Sequence, residues 1–235
     1  MIFVGVIPAR GSSKGIPQKN LAPCDGKPLL AYTAEAALKS PCLSRVILST
    51  DSKEIAEVGS KLGLEVPFLR PATLAQDDTP MLAVLQHLLN WLGKNHGTPD
   101  ALVLLQPTSP LRQARHITEA AGLFQGHNAA TVVSVTPVPH QFTPVSLMEM
   151  RDGRLTPWLK DQPQVLQRQN KPLLYARNGP AVLIIRTDVI ASGQLYGEPT
   201  LGYVMPASDS VDVDGPEELK FAQMLLRARR EGGAA

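Results

Sequence analysis

The chain of 235 residues carries 23 Lys+Arg against 21 Asp+Glu, with 43% hydrophobic residues, 5% aromatics and 2 cysteines. That is one domain, or one with a sizeable insertion, able to bury a large core; it excludes collagen-like, coiled-coil and wholly disordered chains. A formal charge of +2 excludes a general attraction to nucleic acid or acidic lipid. No apolar run approaches the ~18 residues of a membrane span, the N-terminus lacks the basic flank of a signal peptide, and two cysteines in no metal spacing imply a reducing, cytoplasmic setting. Proline is the one excess, 21 residues or about 9% against a usual ~5%.

Short β-branched runs alternate with helical patterns through the first 135 residues, predicting a mainly parallel sheet covered on both faces. Strands are expected at Phe3–Ile7, Arg45–Ser49, Ala101–Leu105 and Ala130–Val135, with a shorter one at Val66–Leu69. Helices are expected at Pro28–Lys39, Ser52–Leu62 after a Thr50-Asp51-Ser52 cap cluster, Pro80–Leu92 and Gln113–Phe124. Between Pro137 and Gly179 the prolines, Pro163 among them, cut every periodic stretch, so edge strands, turns and an extended excursion are expected, with a hairpin at Arg151-Asp152-Gly153-Arg154. Regular order resumes with a strand at Ala181–Ile185, a short helix near Thr187–Ala191 and a last helix from Pro216 to about Arg229, before a fraying Glu231–Ala235. Residues 1–136 and 179–235 thus read as one α/β domain and 137–178 as an insertion.

Three segments carry candidate chemistry. Ala9-Arg10-Gly11-Ser12-Ser13-Lys14-Gly15, continuing to Lys19-Asn20, follows the first strand, where open α/β sheets bind ligands. Two glycines permit close backbone approach, two serines add donors, and Arg10, Lys14 and Lys19 place three cations within ten residues, a composition suited to a polyphosphate and also to a solvated basic turn. Neither GxxxxGK[ST] nor GxGxxG is present. Gln106-Pro107-Thr108-Ser109-Pro110-Leu111-Arg112 follows the third strand as a stiff loop with neutral hydrogen-bonding groups, fit for a hydroxyl-rich ligand or for capping the next helix. In Ser210-Val211-Asp212-Val213-Asp214-Gly215 alternation puts both carboxylates on one face; paired oxygen ligands suit Mg²⁺, while Asp214 alone equally suits a helix cap. Asp51 reads as a cap. The histidines show no zinc-ligand spacing and no Ser/His/Asp order can be assigned, which disfavours zinc and hydrolase chemistry.

Taken in order, Ile7 to Leu21, Ser49-Thr50-Asp51, Leu69-Arg70-Pro71, Leu105 to Arg112, Asn178-Gly179 and Val211 to Asp214 resemble the acylneuraminate cytidylyltransferases, the CMP-sialic acid synthetase family. The likeness spans nearly the whole chain. It implies a Rossmann-like three-layer sandwich of the nucleotide-diphospho-sugar transferase type, with the excursion forming a dimer interface and helping to close the sugar site. The implied reaction joins CTP and a nine-carbon 2-keto sugar acid to give a CMP-sugar and pyrophosphate. By position Arg10 and Lys19 resemble the triphosphate ligands, supported by Ala9, Gly11, Ser12, Ser13 and Lys14, and Asn20 and Arg70 the base contacts. Asp212 and Asp214 resemble ligands of Mg²⁺, with Mn²⁺ as a substitute, and Gln106, Thr108 and Ser109 a sugar-binding loop. Tyr175, Arg177 and Asn178 fall at the family's sugar pocket, Arg177 suited either to a sugar carboxylate or to a surface ion pair. Two departures stand out. Pro80-Met81-Leu82 replaces small hydroxyl residues that meet the ribose in many relatives, and Asn178-Gly179-Pro180-Ala181-Val182 replaces Asn-Gly-Ala-Ile-Tyr. Legionaminate, pseudaminate and KDN therefore stand beside N-acetylneuraminate as substrates. The 3-deoxy-manno-octulosonate enzymes, which read Thr-Arg-Leu-Pro-Gly-Lys-Pro-Leu at 14–21, rank lower. A guanylyltransferase for such acids stays open, as does a non-catalytic nucleotide sensor, although a sensor would not need Asp212 and Asp214 together with Gln106.

Overall fold

The computed structural model describes residues 1–160 and 167–232. Pro163 and the terminal 233–235 therefore lie outside the described residues. In chain order the strands are β1 (Phe3–Pro8), β2 (Pro23–Cys24), β3 (Lys27–Pro28), β4 (Leu43–Ser49), β5 (Ala101–Leu104), β6 (Thr131–Pro137), β7 (Met148–Arg151), β8 (Arg154–Pro157), β9 (Tyr175–Arg177), β10 (Leu183–Arg186) and β11 (Thr200–Val204). The α-helices are α1 (Leu29–Leu38), α2 (Lys53–Lys61), α3 (Met81–Asn95), α4 (Ala114–Gly126), α5 (Thr187–Ala191) and α6 (Pro216–Gly232).

The main sheet runs β11-β6-β10-β5-β1-β4, with β9 also on β6. β4, β1 and β5 are mutually parallel and β11 is parallel to β6, whereas β10 is antiparallel to both its neighbours. Strand alternation builds the layers. Phe3 and Ile7 of β1 join α1, α2 and α4 on one face, while Val4 and Val6 join Leu85, Leu88 and Leu92 of α3 and Val189 and Ile190 of α5 on the other. Val84, Leu85, Leu88 and Leu92 form the buried face of α3, and Pro28 precedes α1 as its extended cap residue, one position before the first helical turn that its proline suggested.

Two expectations change. Val66–Leu69 is not a strand: single bridges at Glu65 and Leu69 touch β4, and Pro67 between them has no N–H to continue a ladder. The sequence pattern gives no sign of β11, because Pro199 and Gly202 lend it the look of a turn. The 151–154 hairpin forms as expected, with Asp152 and Gly153 both at positive φ, and it makes a separate two-stranded sheet. The return limb of the excursion rejoins the main sheet at β9, a few residues before 178; Val138 N donates to Leu174 O (2.9 Å) across the neck. β9 and β10 form one antiparallel line along β6, interrupted at 178–182.

Candidate active site

The interruption, the loop after β1, the loop after β5 and residues 210–215 meet at the carboxyl end of the parallel strands, where no ladder consumes the loop backbone. A cavity of about 250 Å³ opens there. Arg10, Ser12, Ser13, Lys19 and Asn20 form one wall, and Gln106 and Thr108 lie at its base. Arg70, Leu74, Asp77, Met81 and Val84 also line it.

Each side chain is set by its element. Ala9 N donates to Ser49 O (3.0 Å), holding the turn against β4, and the Asn20 amide donates to Arg10 O (3.0 Å) to fold the loop back. Gln18 at φ 48° aims the following short helix, so that Lys19 Nζ reaches Val213 O (2.9 Å) and lies 3.6 Å from Asp214 Oδ1. A Cβ on Gly15 would stand 2.3 Å from Asp214 O, so only glycine lets the cationic loop approach the carboxylate segment this closely. Arg70 N donates to Thr50 O (2.7 Å), which carries its nearly buried guanidinium to within 3.9 Å of Asp51; its buried Nε has no partner among the described residues. Burial lowers its pKa from the ordinary value.

Asp212 and Asp214 differ in environment. Asp214 is 84% exposed, while Asp212 Oδ1 is buried without a hydrogen-bond partner among the described residues. Burial raises the Asp212 pKa first, against a hydrogen bond from Thr108, and the Asp214 charge adds to the rise. Gly179, at φ 112°, faces this carboxylate with Cβ space limited to 3.2 Å. The capping role for Asp214 is not what forms: Glu218 Oε2 takes the Gly215 N–H at the start of α6 (2.9 Å).

Several residues sit differently from the sequence reading. Asp51 is not the cap of α2; Ser52 accepts from Ile55 N, and Asp51 Oδ1 instead accepts the Gly11 N–H (2.9 Å) beneath the cationic loop. Asn178 is a brace. Its oxygen accepts from Ser134 Oγ (2.6 Å) and its nitrogen donates to Ser210 Oγ (2.9 Å), which ties the interruption to the carboxylate segment and leaves little for a ligand. Ser109 is buried outside the cavity wall. Tyr175 and Arg177 lie on β9 away from that wall, and Arg177 donates to Tyr196 Oη (2.8 Å) and sits over its ring, in place of the surface ion pair. Gln106 Nε2 donates to Gly179 O (2.8 Å) from within the wall. Arg112 holds this loop from below: it donates to Gln106 O (3.1 Å) and Ala181 O (2.7 Å), and although burial pushes its pKa down to about 9 it stays charged at neutral pH.

One residue escapes the sequence reading. Asp77, on the loop before α3, accepts from Arg10 (2.5 Å) and Lys14 (2.9 Å). Its only trace in the sequence is an Asp-Asp pair in an aperiodic stretch.

A cationic turn after the first strand, a carboxylate pair and a mixed three-layer sheet define a nucleotidyltransferase. The sequence pattern of the cytidylyltransferase family matches residues 4–190, and the chain belongs to that family. It is 32% identical over 232 residues to the CMP-N,N'-diacetyllegionaminic acid synthase of Legionella pneumophila, covering 98% of this chain and 99% of that one. It is also 32% identical to the N-acylneuraminate cytidylyltransferase of Escherichia coli O18:K1:H7, over 94% of this chain but about half (51%) of that longer protein. The fold matches a structure of CMP:2-keto-3-deoxy-manno-octonic acid synthetase complexed with CTP, with a TM-score of 0.71 at 17% identity, covering 97% of this chain and 100% of the other.

Proposed function

We propose that the protein transfers the cytidylyl group of CTP to the anomeric hydroxyl of a nonulosonic 2-keto sugar acid, releasing pyrophosphate. The observation that carries this reading is the contact of Lys19 with Val213 and Asp214, which brings the cationic loop and the carboxylate pair to one point from 194 residues apart. The anomeric oxygen attacks the α-phosphorus as the bond to the β-phosphate oxygen breaks, so the site must place two anions in line and neutralise the leaving pyrophosphate. Arg10, Lys14 and Lys19 supply that neutralisation, and the Ser12 and Ser13 hydroxyls and loop amides add donors. Asn20 and Arg70 face the base. Gln106 and Thr108 face the sugar.

The carboxylates fit a divalent cation. Asp212 carries a buried oxygen with no partner among the described residues and Asp214 lies two residues on, so these two would hold Mg²⁺, or Mn²⁺ in its place, the phosphates completing the shell. The bound ion would supply charge neutralisation at the reacting oxygens. We further infer that residues 137–178 form a homodimer interface and help close the sugar site, since Phe142, Met148, Met150, Leu155, Trp158 and Leu173 are all exposed there.

A matrix of CTP, ATP, GTP and UTP against N-acetylneuraminate, legionaminate, pseudaminate, KDN and octulosonate, read by product mass, tests the reading. We expect a CMP-sugar with one of the nine-carbon acids. Nucleotide binding without pyrophosphate release from any acid would assign a sensor instead.

A further inference from the structure

Two of the three cations of the loop after β1 are already bound to an anion of the protein itself. Asp77 Oδ1 is 2.5 Å from Arg10 and Oδ2 is 2.9 Å from Lys14, so one carboxylate bridges both in the manner of a phosphate group. It sits on a loop, residues 75–80, that belongs to neither the sheet nor a helix and is about half exposed. The same carboxylate lines both the central cavity and an adjoining one of about 420 Å³ that also takes Ser12, Ser13 and Lys14. Lys19, the third cation, is instead engaged with Val213 and Asp214 and does not touch Asp77.

Resting on the cytidylyltransferase reading, we propose that Asp77 is an internal competitor for the triphosphate site, which weakens pyrophosphate binding by reclaiming Arg10 and Lys14 as the product leaves. The guanidinium and ammonium donors that hold Asp77 are those that a β- or γ-phosphate oxygen must take. Donors cannot serve both anions fully, so each phosphate contact is formed at the expense of one with Asp77. The same donors are exchanged whether the arriving phosphates belong to CTP or to pyrophosphate, so Asp77 weakens both by the same factor and its return to Arg10 and Lys14 favours release of the product. The ammonium of Lys14 and then the guanidinium of Arg10 hold the Asp77 carboxyl below its ordinary range, so the competitor is charged throughout neutral pH.

The test is titration of inorganic pyrophosphate, and separately of CTP, into wild type, Asp77→Asn and Asp78→Asn, followed by calorimetry. Asp78→Asn removes the same charge one residue away. We expect Asp77→Asn to bind pyrophosphate and CTP each about fivefold to tenfold more tightly, the scale of two exposed ion pairs, and to show a lower inhibition constant for pyrophosphate in turnover. Asp78→Asn should change either constant by less than about twofold. Unchanged or weaker pyrophosphate binding by Asp77→Asn, in a background where the wild type binds CTP and turns over, would overturn this role and leave the activity standing. Equal tightening in Asp78→Asn would overturn it in favour of a net-charge effect. Wild type that binds neither CTP nor pyrophosphate would instead remove the cytidylyltransferase reading, and this inference with it.

Discussion

Lys19 joins two segments through a single ammonium, so its removal acts twice: it strips a donor from the leaving phosphates and releases the Val213 carbonyl that fixes the carboxylate segment. Lys19→Ala should lower kcat about 10²-fold or more, on the scale of other removed electrostatic donors, with little change in melting temperature. Gly15→Ala has the opposite origin. The new methyl would meet Asp214 O at 2.3 Å, and since that neighbour is backbone the loop and the carboxylate segment must separate. Turnover should fall together with about 1–3 kcal/mol of stability, checked by kcat and urea unfolding of the same preparation. Asn178→Ala distinguishes a brace from a ligand: it removes the acceptor of the Ser134 hydroxyl and a donor to Ser210 Oγ, whose bonds to Val182 N and Pro206 O remain, at a cost of about 1–3 kcal/mol, while the KM for CTP should stay within a few-fold of wild type. Residue type and spacing single out Arg10, Lys19, Asp212 and Asp214 as candidates. They do not show that Asn178 turns inward or that Asp77 faces the cations, because both depend on the path of irregular backbone between elements.

Among elements, α4 and α6 are tied through a buried carboxylate. Asp209 accepts from Arg115 (2.8 Å) and from Arg229, and lies 3.0 Å from His116 Nε2. His116 Nδ1 accepts the Gln113 N–H (3.1 Å), which places the proton of the neutral ring on Nε2, toward Asp209. This knot lies three residues before Asp212. Burial first, and the charges of Arg115 and Arg229, hold the His116 pKa below 6.5 against the pull of Asp209 and Glu119. His87, packed edge-on to Phe68, is depressed likewise by burial and Arg70. In this case the unfolded chain binds more protons between the folded pKa and 6.5, so stability is complete above that pH and declines as pH falls through the interval. The urea midpoint should drop from pH 7 to pH 5, and His116→Gln should flatten that slope; a midpoint independent of pH would refute the linkage. Periodicity locates the principal helices within a few residues, since each has an apolar face or a proline or glycine boundary. It misses β11 and wrongly makes Val66–Leu69 a strand, because edge segments are decided by which neighbour they reach.

For the whole molecule, apolar exposure concentrates on the 148–157 hairpin and its flanks, with Met150 at 67% and Leu155 at 56%. Wild type should sediment as a dimer, and Met150→Glu with Leu155→Glu should give a monomer that still binds CTP; a monomeric wild type would remove the interface. The neck of this arm has a consequence of its own. Val138 and Leu174 are hydrogen-bonded, and Pro137 and Tyr175 are already in register, so the ends of the arm are pinned at the sheet. Closing a longer or shorter arm costs about 0.6 kcal/mol per doubling of length. The arm can therefore change in size and sequence without disturbing the sheet whose strand ends carry the candidate site.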